Sequence, residues 1–312
     1  MLSLRSPLWI SVGFMAGLGL TYLWPIEIPT TVLFIAHAIA LFHVALGLPL
    51  LSFGRVVGSG RVWRALIVLN LVVVPALSFV LSRIQWRTPD LQVGLLLALL
   101  APGVALSIPV IRRAGGDAES VLGITPLLLA GQLVIVPPLA IVLSGGQFHW
   151  SDLPHTFMPI VWVIALPVVL AALFQFVGKK RHLDHVRQRL SNHSVLWMSS
   201  AFLLTAWSVG SSHTQRLEQL AWIVPLAIAF LVVMAPISLL IAGLVGVTAD
   251  RRRAILIAAA GRGGVVMVPI TLALDPEYWG FLPLVVMVQA SVEAVGLVVY
   301  RTISPEIVPG TQ

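Results

Sequence analysis

Two ionisable residues stand where the chain is otherwise apolar. Arg262 lies between glycines in AILIAAAGRGGVVMVPITLAL, and Glu293 lies in VQASVEAVGLVVY. A charge at the centre of a bilayer-spanning helix costs about 3 kcal/mol or more, so each needs a partner or a ligand. Arg262 is nine residues beyond Arg253, and Glu293 is eight before Arg301. At about 1.5 Å of rise per residue, both sit roughly 12–14 Å from the same membrane face. A cation and an anion at one depth on consecutive spans form a structural ion pair or share a binding site. An anionic ligand facing Arg262 would also meet the free N–H groups of a half-helix starting near Gly263.

The other polar side chains inside apolar runs are Asn70, Ser107, Thr125, Gln132 and Gln289. Taken singly, each is more often an interhelical hydrogen bond than a ligand contact. His37 and His43 read as packing residues on the same grounds. His182 and His185 in HLDH have metal-like spacing but lie among basic residues without a carboxylate cluster. They read as a solvated loop, and no metal site is expected. RRAGGDAES lacks the Gly-Lys-Ser/Thr of a phosphate-binding loop. No nucleophile–base pair argues for an enzyme, and no cofactor is expected.

The elements that must position these residues are membrane helices. Only 10% of the 312 residues are charged, with mean hydropathy +0.99, against about 25% charged in soluble domains. Apolar runs of roughly 20 residues indicate a polytopic all-α membrane protein. The net charge of +7 is then read by its location, and nucleic acid is not an expected partner. Cysteine is absent, which excludes disulfides, thiolate metal sites and cysteine nucleophiles.

About ten spans are predicted, at 8–24, 31–53, 65–82, 91–111, 119–143, 157–177, 194–210, 220–246, 252–274 and 281–300. The first, after Arg5, reads as an uncleaved span rather than a signal peptide. With the N-terminus in the cytoplasm, fifteen of the nineteen Lys and Arg fall inside. Only Arg83, Arg87 and Arg216 fall outside, and Arg262 is within a span. That asymmetry fixes the expected topology, with both termini cytoplasmic.

One transmembrane domain over 1–312 is expected, with repeat one about 1–145, repeat two about 155–302, and a short tail 303–312. The first half starts inside and the second outside, so a repeat of five helices must be inverted. The fourth span of each half carries helix breakers: Pro102 and Gly103 in APGVALSIP, and Gly261, Gly263 and Gly264 in GRGG. Breakers at matching positions of two halves mark a transporter's binding site. Such backbone must be buried in protein or line a wet cavity.

These residues resemble the bile acid:sodium symporter superfamily, which includes arsenical-resistance permeases. The likeness rests on ALGLPLLSFGRV, on NLVVVPALSF with Asn70 five places before Pro75, on APGVALSIPVIRRAGGDAES, on GITPLLLAGQ with Thr125 and Gln132, and on ASVEAVGLVVY. The resemblance implies ten helices in two inverted repeats. Spans 1, 2, 6 and 7 would form a panel, and the remaining spans a core where broken spans 4 and 9 cross. It also implies a secondary transporter of a small solute in the lipid bilayer, here of a prokaryotic inner membrane.

The symporters place Glu-x-Gly-x-Gln-Asn at the span 9 break, where this chain reads Ala259, Ala260, Gly261, Arg262, Gly263, Gly264. Ser107 stands beside Ile108 where they carry Ser-Asn. With the carboxylate gone and a guanidinium added, sodium coupling is disfavoured, and Arg262 takes the place of the cation in a carrier for an organic anion. Proton or exchange coupling stays open. An arsenite or antimonite permease is the alternative, although Ala101 or a neighbour stands where those proteins carry a soft thiolate ligand. A membrane sensor without transport is a further alternative.

Overall fold

Long apolar segments in lipid can satisfy their own N–H and C=O groups only as helices or closed barrels. The computed structural model describes residues 6–48, 50–52, 60–84, 88–103, 107–154, 160–180 and 183–309, and no strand occurs among them. Arg5, Phe53, Gly54, Arg55, Arg87, Arg181 and His182 of the sequence reading lie outside the described residues.

In chain order the helices are α1 Leu8–Leu23, α2 Thr30–Gly47, α3 Gly60–Ile84, α4 Pro89–Leu100, α5 Ser107–Arg113, α6 Ala118–Ser144 and α7 Leu166–Lys180. They continue as α8 Asp184–Asn192, α9 Ser194–Ser212, α10 Ile223–Leu244, α11 Ala249–Ala260, α12 Gly264–Leu272 and α13 Leu282–Ile307. Six segments are long and apolar enough to cross a bilayer unaided: Thr30–Gly47, Gly60–Ile84, Ile160–Lys179, Thr214–Leu244, Ala249–Leu272 and Leu282–Ile307.

Local chemistry sets several ends away from their expected places. Leu48 and Ala101 each precede a proline and adopt extended backbone, with ψ of 144° and 133°, because proline crowds the preceding residue out of the α region. The second helix therefore ends at Gly47 rather than 53, and the fourth breaks after Leu100. The last helix runs on to Ile307, through much of the expected tail. Residues 184–192 form α8 rather than a loop, so His185 is helical. Asp184 in the first turn and Arg189 in the last complement its dipole.

Burial separates central from peripheral elements. In their most apolar windows Ala249–Leu272 is 83% buried and Leu282–Ile307 67%, against 33% for Thr30–Gly47 and 28% for Ile160–Lys179. Every residue of α4 from Asp90 to Leu100 is buried. The broken segments are thus enclosed by protein, as unpaired backbone in lipid requires. At the periphery α1 packs tightly on α9. A Cβ on Gly13 or Gly17 would strike the backbone of Ser199 or Leu203, and one on Gly210 would meet Thr21.

The polar ends sort into two groups. Asp117 accepts from Arg251, Arg253 donates to Gly115 O and Val308 O, and Arg61 donates to Gly246 O. At the other end Arg216 pairs with Asp90, and Arg83 donates to Leu143 O. The first group holds residues assigned inside by charge, and the second holds those assigned outside.

Candidate functional site

The site is built where two breaks touch. After Ala101 the chain is non-helical through Gly103, and after Ala260 it is non-helical through Gly263. A Cβ on Gly103 would overlap the Gly263 nitrogen and the Arg262 carbonyl carbon, and one on Gly263 would overlap the Pro102 oxygen. Only glycine lets the two backbones approach so closely. Beside this crossing Gly261 packs on Ser107, and Gly264 faces Ala290 of α13.

Arg262 is 2% exposed. Its Nη1 donates to Asn70 Oδ1 at 3.0 Å and its Nη2 to Ala259 O at 2.9 Å, while its Nε has no partner. The guanidinium carbon lies 5.9 Å from the Phe230 ring centre, within cation–π range. Asn70 Oδ1 also accepts from Gln132 Nε2 at 3.2 Å, and Asn70 Nδ2 donates to Leu66 O at 2.8 Å. Every polar atom of the Asn70 side chain is therefore committed, which fixes its orientation. Asn70 sits in a π-helical turn, Leu69–Val73, inside α3, a feature frequent at functional sites.

Of the two arrangements open to Arg262 and Glu293, the ion pair is not formed. No carboxylate oxygen comes within 4.0 Å of the Arg262 guanidinium among the described residues. Glu293, also 2% exposed, instead accepts from Gln289 Nε2 at 3.1 Å through Oε2. Depth along the span placed the two groups at one level. The azimuth, which depth does not give, turns the guanidinium toward α3 and α6 and away from α13.

Arg262, Gly263, Pro102, Gly103, Thr125 and Gln132 line one cavity of about 60 Å³, closed by apolar side chains of α2, α6, α7 and α9 such as Val44, Leu128, Val168 and Met198. Thr125 turns its hydroxyl to Val121 O. Two further cavities adjoin this one along the same seam. The larger, about 550 Å³, shares Val44 and Leu48 with it and opens beside Arg112, Arg113, Arg187 and Gln188. The smaller, about 30 Å³, shares Pro102 and Gln132 and is lined by Phe148, Leu153 and Ile160. The seam is thus wider on the arginine-rich side than on the other.

Of the candidates, Asn70, Pro102, Gly103, Thr125, Gln132, Gly261, Arg262 and Gly263 gather at the crossing. Ser107 and Gly264 pack beside it, and Gln289 and Glu293 form a separate pair on α13. His37 and His43 bond to Leu33 O and Ile39 O and pack against Phe202 and Trp197. No metal-binding group of His, Cys, Asp and Glu occurs among the described residues. Sequence reasoning missed Phe230, the Ala259 carbonyl and the apolar wall, because nothing in their local spacing distinguishes them from ordinary helix packing.

The SBF-like CPA transporter family model matches residues 9–300 of the chain. No curated protein matches it.

Proposed function

The chain belongs to the SBF-like CPA transporter family, and on that premise we propose that it is a secondary carrier of a small organic anion that works without sodium. One observation carries the reading. A buried guanidinium at the helix crossing faces a cavity, with no carboxylate in contact and one N–H unpaired. A charge so placed calls for an anion, since unpaired charge in a low-dielectric interior is costly.

The half-helix α12 adds to this positive potential. Val266 N–H and Met267 N–H are the first to bond back to Gly263 O, so the N–H groups before them belong to the open, positive end of the helix dipole. Positive charge at the position where a cation binds in the symporters removes the need for sodium and leaves a proton or counter-anion to drive transport.

The arrangement reads as ten spans in two inverted halves, with both termini in the cytoplasm of a prokaryotic cell. The wide cavity beside Arg112 and Arg113 is then the cytoplasmic approach. Purified protein in liposomes, given sodium and pH gradients separately, tests the proposal with labelled lactate, pyruvate and gluconate as probes. Uptake independent of sodium and lost in Arg262→Ala is expected. Uptake that stops when sodium is withdrawn would overturn it.

A further inference from the structure

We infer that Glu293 is the proton site of this carrier, and that one proton rides on it for each single negative charge bound at Arg262. The inference rests on the reading of Arg262 as the anion site and adds the coupling to it.

Glu293 and Gln289 lie one helical turn apart on α13, and both are nearly inaccessible, at 2% and 1% exposed. Gln289 supplies one hydrogen bond, to Oε2. Glu293 Oε1 and Gln289 Oε1 have no partner. The peptide N–H of Arg262 lies toward the same carboxylate without bonding to it, while the Arg262 side chain turns to the cavity. A structural clamp would bring carboxylate and guanidinium into contact, and they are not in contact.

The surroundings isolate this pair of charges. Helices α1, α4, α5, α9, α10, α11 and α12 pack on α13, as does the turn Thr214–Trp222, whose Arg216 pairs with Asp90 and whose Glu218 is exposed. Of these, α9, α10 and α12 contain no titratable side chain, and α1 contains only exposed Tyr22. The charges of the others are at helix ends and engaged elsewhere: Asp90 with Arg216, Arg112 with Glu119, Arg251 with Asp117, and Arg253 with two carbonyls. Arg113, Asp250 and Arg252 belong to the same arginine-rich ends. On α13 itself Tyr300 donates to Leu231 O, and Arg301 and Glu306 are exposed. Among the described residues, Arg262 and Glu293 are therefore the charges set deep in the interior, away from the helix ends.

Charge balance then dictates the coupling. A guanidinium and a carboxylate sum to zero. An anion at Arg262 leaves one uncompensated negative charge in the bilayer interior, and a proton on Glu293 removes it. Anion and proton each favour binding of the other, and by linkage they do so equally. The step is a plain proton transfer. The carboxylate takes a proton from water on the loading side as the anion binds and returns it to water on the other side, with no electron moved.

Gln289 suits both states of its neighbour. Its amide N–H donates to a carboxylate, and its carbonyl, turned over, accepts from the acid. Hard cations bind through six or more oxygens. Two unpaired oxygens make a poor metal cage, whereas a proton needs only one.

The test uses full-length protein in liposomes loaded with pyranine, with potassium lactate, pyruvate or gluconate added outside and valinomycin clamping the potential. The wild type is expected to acidify the lumen as anion enters, at a rate indifferent to the clamped potential. Glu293→Gln, isosteric with the protonated acid, should lower proton movement by about tenfold or more, the size of a typical coupling free energy, yet still exchange labelled for unlabelled anion. Gln289→Leu should shift the pH dependence of uptake. Proton movement in Glu293→Gln equal to wild type, or Arg262-dependent anion flux without protons, overturns this inference alone. If no anion moves, or if Arg262→Ala matches wild type, the anion-site reading itself falls.

Discussion

Arg262 and Asn70 are separated by 192 residues, yet the guanidinium of one donates to the carboxamide oxygen of the other at 3.0 Å. The contact joins the break of α11–α12 to the π turn of α3, and through Gln132 it reaches α6. A neutral oxygen therefore holds the buried cation in place without cancelling its charge. That distinction separates a positioning contact from a salt bridge.

Asn70→Asp puts the difference to use. The isosteric carboxylate would meet the guanidinium at the same 3.0 Å and cancel its potential. Anion uptake should fall by about 100-fold, corresponding to roughly 3 kcal/mol for a buried charge-assisted contact withdrawn from the ligand. Thermal stability in detergent should change little, because the partner gained by the buried charge is offset by the carboxylate oxygen that replaces Nδ2 and faces Leu66 O. Uptake equal to wild type would show that the charge of Arg262 is not used.

Arg262→Lys should transport poorly although it keeps the charge. A lysine has one nitrogen and cannot donate to Asn70 and Ala259 with the fork geometry of a guanidinium. A raised KM with a smaller change in maximal rate is expected from initial-rate uptake.

The crossing itself is testable through glycine. Gly103→Ala or Gly263→Ala sets a methyl group against backbone, which cannot rotate away, and overpacking of this kind costs about 1–3 kcal/mol or more. Loss of monodisperse protein on size exclusion is expected. Gly19→Ala is the control. It has open space around it on an exposed helix face, and alanine there should stabilise slightly, by about 0.5–1 kcal/mol.

The arginine-rich face carries a pH-dependent cap. Burial raises the Asp117 carboxyl, but hydrogen bonds from the Ser120 side chain and N–H, together with Arg251, outweigh it and hold the group below its ordinary 3.8. A depressed carboxyl contributes stability above the unfolded pKa and loses it as pH falls through the folded one. Asp117→Ala should cost about 1 kcal/mol, as for other N-caps. The difference from wild type should shrink as melting is measured at progressively more acid pH.

Sequence alone determined the solvent, the helices and the two charges. Ten percent charge in long apolar runs leaves no choice but membrane helices. Arg262 and Glu293 announced themselves because an ionised group is rare in such runs. Proline fixed the breaks at Leu48 and Ala101 by local steric exclusion, which is a property of adjacent residues. The Asp117 cap was legible for the same reason, as Asp-Ala-Glu-Ser ahead of an apolar helix, although the sequence reading passed it by.

Tertiary structure decided which groups meet. Spacing along a helix gives depth, but the direction a side chain faces depends on how helices rotate against one another. That rotation is set by contacts such as Gly103 on Gly263, distant in the chain. It parted Arg262 from Glu293, placed Asn70 between the cation and Gln132, and left one guanidinium facing a largely apolar cavity. Pairing across the fold is a sum of many packing contacts, and no local pattern of residues records it.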